Sequence, residues 1–371
     1  MAETEDMVQF LTPEGELAEQ GITEEYRPYI DALSDDDLRT FHRDMVINRA
    51  LDVEAENLQR QGQMALWPPN RGQEAAQVGS ARAAKRQDHI FPAYREHAVA
   101  RIRGLDPLML IEMMRGNSHG GWDPAATNNF HLYTLVIGSH ALHATGYAMG
   151  IGLDGKAGTG DPERDEAVMV YFGDGATSQG DVSEAFVFAA SYQTPQVFFL
   201  QNNHWAISVP VSVQSRIPLY LRSRGFGIPS VQVDGNDVLA SYAVSAKLLD
   251  DARSGRGPSL IEALTYRMGA HTTSDDPTKY RSNDEAESWL LRDPITRFEA
   301  YLRRRGESEE FFAQTAEEAA DLAADVRRRT LALEAPPLAR AFEHVYTEPH
   351  PVTAAQQEWL RQYEASLGGE A

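Results

Sequence analysis

The sequence predicts a doubly wound α/β protein with a mainly parallel sheet, an N-terminal arm and appended C-terminal helices. Two observations carry that expectation. Short apolar runs rich in β-branched and aromatic residues lie at 166–172, 196–201, 230–234 and 258–266, and helical signals separate them. One complete strand–helix–strand unit is compressed into 171–210 (YFGDGATSQGDVSEAFVFAASYQTPQVFFLQNNHWAISVP). Its first strand stops in the tight turn Gly173-Asp174-Gly175 and its second at Asn202-Asn203. Between them Asp181 and Glu184 stand three apart, the spacing of a capping box, before an apolar helical stretch.

Parallel strands joined by a helical crossover finish on the same edge of the sheet, so this unit delivers Asp174 and Asn203 to neighbouring positions. A carboxylate, an amide oxygen and a nearby backbone carbonyl are hard donors that suit Mg²⁺, which usually completes its octahedron with water and phosphate oxygens. The unit is therefore expected to hold a metal-bridged diphosphate.

The other elements follow in order. Residues 1–34 are acidic and interrupted by Pro13, Gly15, Gly21 and Pro28, and read as an irregular arm. Ser34 and three aspartates then start a long helix carrying Leu38, Phe41, Met45 and Leu51 towards Gly62. A turn from Trp67 to Arg71 leads into a helix whose small residues, among them Ala75, Ala76 and Gly79, permit close packing. His89 begins a short strand that gives way to a loop with Tyr94 and Arg95 adjacent; the guanidinium suits bidentate bonding to a phosphate and the phenol can add a donor. A helix over 105–116 precedes a polar loop to Phe130, His131, and a small-residue segment from Ser139 to Gly152. After Pro210 a basic segment is expected to loop across the same edge; Asn236-Asp237 starts a helix to about Arg253. The strand ending at Tyr266 empties into RMGAHTTSDDPTKYRSNDE (267–285), a hydroxyl-rich loop at the same edge that contains His271. Beyond Asp293-Pro294 the composition shifts to charged helices, so the domains are expected at 1–34 (arm), 35–292 (α/β domain) and 293–371 (helical region).

Composition excludes several classes. Net charge is −21, which argues against nucleic acid or an anionic membrane as partner but not against one diphosphate, whose binding is decided locally. There are no cysteines, hence no disulfide framework and no zinc-thiolate site. The first residues lack the basic and apolar regions of a signal peptide, and no apolar run approaches a membrane span, so a cytoplasmic protein is expected. A dinucleotide fingerprint needs G-x-G-x-x-G, whereas Gly173, Gly175 and Gly180 are spaced differently, which weighs against a nucleotide-binding scaffold module.

GDG, then 26 residues (176–201), then NN resembles the thiamin diphosphate signature of decarboxylases, transketolases and 2-oxo acid dehydrogenases. RQGQ (60–63), RGQEAAQVGSA (71–81), the Tyr94-Arg95 pair and AHTTSDDPTKYR (270–281) narrow the resemblance to the α subunits of 2-oxo acid dehydrogenase E1, over about residues 35–345. What the resemblance implies is a thiamin diphosphate-binding fold with these cofactors: thiamin diphosphate and Mg²⁺. Asp174, Asn203 and the carbonyl of Trp205 would take the metal, Tyr94, Arg95, Gly175 and Ala176 the diphosphate, and the backbone of Leu135 and Ile137 the aminopyrimidine. His271 and His131 would be catalytic, His271 also contacting the cofactor. The implied partners are an E1 β subunit in an α₂β₂ heterotetramer, the lipoyl domain of E2, and a small 2-oxo acid. Loop wording leans towards branched-chain substrates such as 3-methyl-2-oxobutanoate; pyruvate dehydrogenase and acetoin dehydrogenase α chains are the alternatives. Gln201 departs from the arginine that some branched-chain members carry before NN, and His140 stands where many E1 chains have Gln. Thr272, Thr273 and Ser274 occupy the place of a regulatory phosphorylation loop in mitochondrial relatives.

Overall fold

The computed structural model describes residues 7–18, 24–118 and 121–368. Five strands form one parallel sheet: β1 (His89–Phe91), β2 (Val168–Gly173), β3 (Gln196–Asn202), β6 (Ser230–Asp234) and β7 (Ser259–Leu264), in the order β1-β2-β3-β7-β6. A two-residue hairpin follows β3, made of β4 (Trp205–Ala206) and β5 (Val209–Pro210). Because β2 and β3 are joined by the helix Gly180–Tyr192 and pair with Gly173 opposite Gln201, Asp174 leaves the sheet beside Asn202 and Asn203. This is the juxtaposition expected from the sequence.

The strands are buried on both faces, and their side chains alternate between two cores. Met169, Tyr171, Val197, Phe199 and Ile261 face one cluster, which includes residues of the helices Asp35–Arg60, Glu74–Ala83 and Val238–Arg253. Val168, Val170, Phe172, Phe198 and Leu200 face the other, under the helices Ser139–Leu153 and Gly180–Tyr192. Near-continuous apolar runs in the sequence are the signature of such a doubly covered parallel sheet.

Ser34 caps the long helix with a reciprocal Ser34–Asp37 capping box, as its sequence indicates. The helix Gly180–Tyr192 differs from expectation: its cap is Gln179, whose own side chain accepts from the Gly180 amide, and Asp181 lies inside the first turn.

The described part of the arm is less peripheral than its composition implied; positions 1–6 and 19–23 of it lie outside the described residues. Val8 bridges β6 at Val233, and Phe10 and Leu11 are buried, their amides both donating to the Asp237 carboxylate at 2.7 Å. Arg297 staples the arm by donating to the carbonyls of Thr12 and Leu11 and to Asp234.

The chain divides into two compact units, Met1–Leu331 and Ala332–Ala371. The first takes in the helices Pro294–Arg304 and Glu309–Leu331, which the sequence reading grouped with the C-terminal region from 293. The reason is burial: Phe298, Tyr301, Leu302, Phe311, Phe312 and Val326 belong to the main core. The second unit carries the helix Pro351–Ser366. Among the described residues no helix is long and apolar enough to cross a membrane.

Candidate active site at the carboxyl edge

A cavity of about 270 Å³ opens at the carboxyl ends of β2 and β3. It is lined by Tyr94, Arg95, Ile137, Asp174, Gly175, Ala176, Asn203, Trp205 and His271, which brings together nine of the eleven residues singled out from the sequence.

Asp174 is 1% exposed and opens a 3₁₀ turn, Asp174–Ser178. Burial pushes its carboxyl above the usual range, partly offset by a hydrogen bond from Gln214 and by the Arg267 charge. The Asn203 amide oxygen stands 3.1 Å from the Trp205 carbonyl oxygen and 3.3 Å from Asp174 Oδ1, while its Nδ2 donates to Gln73 Oε1 at 3.3 Å. Three oxygens thus face one gap with no hydrogen between them, the Trp205 amide donating to the Asn203 oxygen from outside it at 3.4 Å. Turning the amide over would put an N–H there and relieve the repulsion; a cation would relieve it without moving any group. Mg²⁺ with bonds of 2.0–2.1 Å places neighbouring ligand oxygens about 2.9 Å apart, close to the observed spacing. Among the described residues no group of three His, Cys, Asp or Glu side chains could hold a metal, so a cation at this edge must rely on one carboxylate plus neutral oxygens. That donor set fits Mg²⁺ and does not fit zinc.

Backbone strain is concentrated beside this gap. His204 and Ile207 both adopt left-handed conformations, with φ of 71° and 54°. For β-branched Ile207 this is costly, by roughly 1–3 kcal/mol, and it is held by neighbouring contacts. Arg267 supplies one of them: its 1%-exposed guanidinium donates to the Ile207 carbonyl at 2.9 Å and to the Trp205 carbonyl at 3.0 Å. Gly175 is required by close approach, since a Cβ there would lie 2.8 Å from Ala206 Cβ.

Arg95 and Arg267 also define the state of His271. Arg95 Nη2 lies 3.4 Å and Arg267 Nη1 3.2 Å from His271 Nδ1. Two cationic donors on one ring nitrogen make it the acceptor, so the proton sits on Nε2. Burial, then Arg95, then Arg267, push the imidazole down to about 3, so it is neutral at physiological pH. Arg95 additionally donates to the carbonyls of Pro69 and His271, tying the loop after β7 to the cavity wall. Tyr280 and Arg281 close that loop: Arg281 donates to the carbonyls of Arg267, Met268 and Gly269, and Tyr280 accepts from Arg267.

Two expected residues are not among those that line the cavity. Leu135 is 61% exposed and does not line the cavity, although Ile137 and Gly138 do. His131 is stacked on Phe91 at 3.9 Å and lies 3.2 Å from His89 Nδ1, away from the cavity lining. The parallel bridge between Ile90 and Phe130 explains its place: it docks the segment before His131 against β1. Conversely, Gln73, Glu96, His140, Gln201 and Arg267 line the cavity and were not singled out as site residues. Gln201 donates to Glu96 at 2.6 Å, so here it serves a buried carboxylate inside the wall. His140 is held by the Tyr171 carbonyl at 2.6 Å. Long polar side chains reaching an edge from several elements leave no local pattern in a sequence.

Strand ends that gather hard oxygens on one side and guanidinium and imidazole donors on the other define a class: α/β proteins whose ligand site lies at the carboxyl edge of a parallel sheet, with groups that can take an anion. Residues 42–328 match the family model described as the dehydrogenase E1 component. The chain is 44% identical over 341 residues to the 3-methyl-2-oxobutanoate dehydrogenase subunit alpha of Mycobacterium tuberculosis, covering 90% of this chain and 89% of that one. It is 39% identical over 330 residues to the pyruvate dehydrogenase E1 component subunit alpha of Acholeplasma laidlawii (88% and 93% covered). The corresponding subunit of Staphylococcus aureus is 36% identical over 303 residues (81% and 78%). The chain belongs to the dehydrogenase E1 component family, and is an E1 α chain of the 2-oxo acid dehydrogenases.

Proposed function

We propose that this chain binds thiamin diphosphate and Mg²⁺ at the carboxyl edge of its sheet and acts, with an E1 β subunit, in the oxidative decarboxylation of a branched-chain 2-oxo acid, with acyl transfer to the lipoyl domain of E2. The observation that carries the reading is the convergence of the Asp174, Asn203 and Trp205 oxygens on one gap. Those three would hold Mg²⁺. The amides of Gly175 and Ala176 with Tyr94 and Arg95 would take the diphosphate, and the backbone around Leu135 and Ile137 the aminopyrimidine.

When bound, thiamin diphosphate supplies a nucleophilic carbon and an electron sink for loss of CO₂. The chain's own part is to orient and polarise. Neutral His271 presents Nε2–H as a donor to negative charge developing in the cavity, with its tautomer fixed by two guanidinium groups. Because Arg95 both faces the diphosphate position and holds the His271 carbonyl, ligand binding and loop order are linked through one side chain. His131, stacked away from the cavity, is not assigned a role in the reaction.

The cofactor's activating carboxylate is assigned to the β subunit, so the α chain alone is expected to be inactive. Similarity to the Mycobacterium subunit favours 3-methyl-2-oxobutanoate; similarity to the Acholeplasma and Staphylococcus subunits makes pyruvate the second reading. Decarboxylation by the reconstituted α and β subunits, compared for 3-methyl-2-oxobutanoate and pyruvate, tests both. A higher kcat/KM for pyruvate overturns the substrate assignment, and turnover by α alone overturns the division of labour.

A further inference from the structure

We propose that Gln214 is a positioning residue of the metal site, orienting Asp174 through its amide nitrogen and receiving a metal-bound water at its amide oxygen. The inference rests on the reading of Asp174 as a Mg²⁺ ligand. Gln214 closes the short helix Val211–Gln214, outside every segment that the sequence motifs mark. Its Nε2 donates to Asp174 Oδ2 at 2.6 Å and to the Val209 carbonyl at 3.0 Å. With Oδ2 so engaged, the carboxylate is turned to leave Oδ1 facing the Asn203 amide oxygen at 3.3 Å.

The orientation of the Gln214 amide is fixed by its surroundings. Turning it over would set its oxygen against two acceptors, so Nε2 must face Asp174 and Val209. That leaves Oε1 buried without a hydrogen-bond partner. A buried orphan acceptor costs about 1–3 kcal/mol and calls for a donor. Mg²⁺ bound through one carboxylate and neutral oxygens retains water, whose O–H groups are strong donors within reach of groups that touch the ligands. One such water would satisfy Oε1.

The position is buttressed from behind. Arg222 donates from Nη2 to the Gln214 carbonyl at 3.0 Å, and from Nη1 to both the carbonyl and the hydroxyl of Thr177 at 2.8 Å. It thereby ties the short helix to the turn that carries Asp174. Each of the three oxygens at the gap then has one long side chain behind it: Gln214 for Asp174, Gln73 for Asn203 and Arg267 for the Trp205 carbonyl.

The test is a Mn²⁺ titration of the full α chain assembled with its β subunit, with thiamin diphosphate present, following free Mn²⁺ by electron paramagnetic resonance. Gln214→Met keeps the volume and removes both hydrogen-bonding ends; Gln214→Asn, which withdraws the amide by one methylene, is the second variant should the first not assemble. Both are expected to bind Mn²⁺ about 10–100-fold more weakly. The deficit should appear in KM for Mg²⁺ and be recovered at saturating metal, whereas a merely structural lesion lowers the metal-free melting temperature and kcat together. Wild-type affinity within twofold in either assembled variant overturns the proposal. Absence of Mn²⁺ binding in the wild type, or undiminished binding in Asp174→Ala, overturns instead the metal assignment on which it rests.

Discussion

Replacing Asp174 by Asn separates what the carboxylate does for the ligand from what it costs the fold. The substitution keeps shape and an acceptor for Gln214 but removes the one negative charge among the three oxygens at the gap. Withdrawing one partner from a buried opposite-charge pair costs about 3–5 kcal/mol, and 1.4 kcal/mol corresponds to a tenfold change. Metal-dependent binding of thiamin diphosphate should therefore weaken by about 10²–10⁴-fold. In the metal-free protein the sign reverses. Asp174 has a folded pKa raised by burial, so its ionised form is a liability at neutral pH that protonation relieves. Metal-free Asp174→Asn should melt at the same temperature as wild type or higher. The gap should be widest above the folded pKa and close as pH falls towards the unfolded value of about 3.9, where both states are protonated. Calorimetric titration gives the first quantity and melting curves from pH 4 to 7.5 the second. Cofactor affinity within threefold of wild type, or a metal-free variant several degrees less stable at pH 7, refutes the reasoning.

Other perturbations follow from the same geometry. Arg267→Met removes one of the two cations beside His271, so the imidazole pKa should rise from about 3 while staying below 6.5, because burial remains the larger cause. The acid limb of kcat/KM should move to higher pH; a limb that does not move refutes the part assigned to the Arg267 charge. Gly175→Ala places a methyl 2.8 Å from Ala206 Cβ and should force the hairpin bearing the Trp205 carbonyl outward, at about 1–3 kcal/mol, with weaker Mg²⁺ binding read by titration. Arg253→Met strands Asp88, a 0%-exposed carboxylate that also accepts from the amides of Lys85 and Ala167. A loss of about 3–5 kcal/mol in urea denaturation is expected; a loss below 1 kcal/mol shows that those amides suffice to carry the charge.

The fold was legible wherever a local period coincided with a tertiary requirement. The strands are apolar through 168–172 and 197–200 because both faces are covered there, and a run of that kind bounded by Gly or Asn has few other readings. The Ser34 cap was equally local. The arm was not: Val8, Phe10 and Leu11 sit among polar residues, and their burial depends on Asp237 and Arg297, more than 200 positions away in sequence. Nor was the reach of the main core to Leu331, since a charged amphipathic helix looks the same whether its apolar stripe meets its own domain or another surface.

The site divides in the same way. Asp174 and Asn203 were recoverable because strand register places whatever follows a strand end, and register is written in the strands. Trp205 and Gly175 follow from the same turn and hairpin. His131 and Leu135 precede the helix Ser139–Leu153, in a segment whose path is fixed by a single bridge between Ile90 and Phe130, and nothing in the spacing says which side chains turn inward there. Gln73, Gln214 and Arg267 mark the opposite limit. Each arrives from a different element and acts through the far end of a long side chain, so its role exists only once three backbone segments are in place. The proposed ligands lie in one stretch of chain, whereas the groups that would aim them are a property of the assembled edge. Substitutions at Gln73, Gln214 and Arg267 should accordingly alter metal affinity while leaving every motif in the sequence intact.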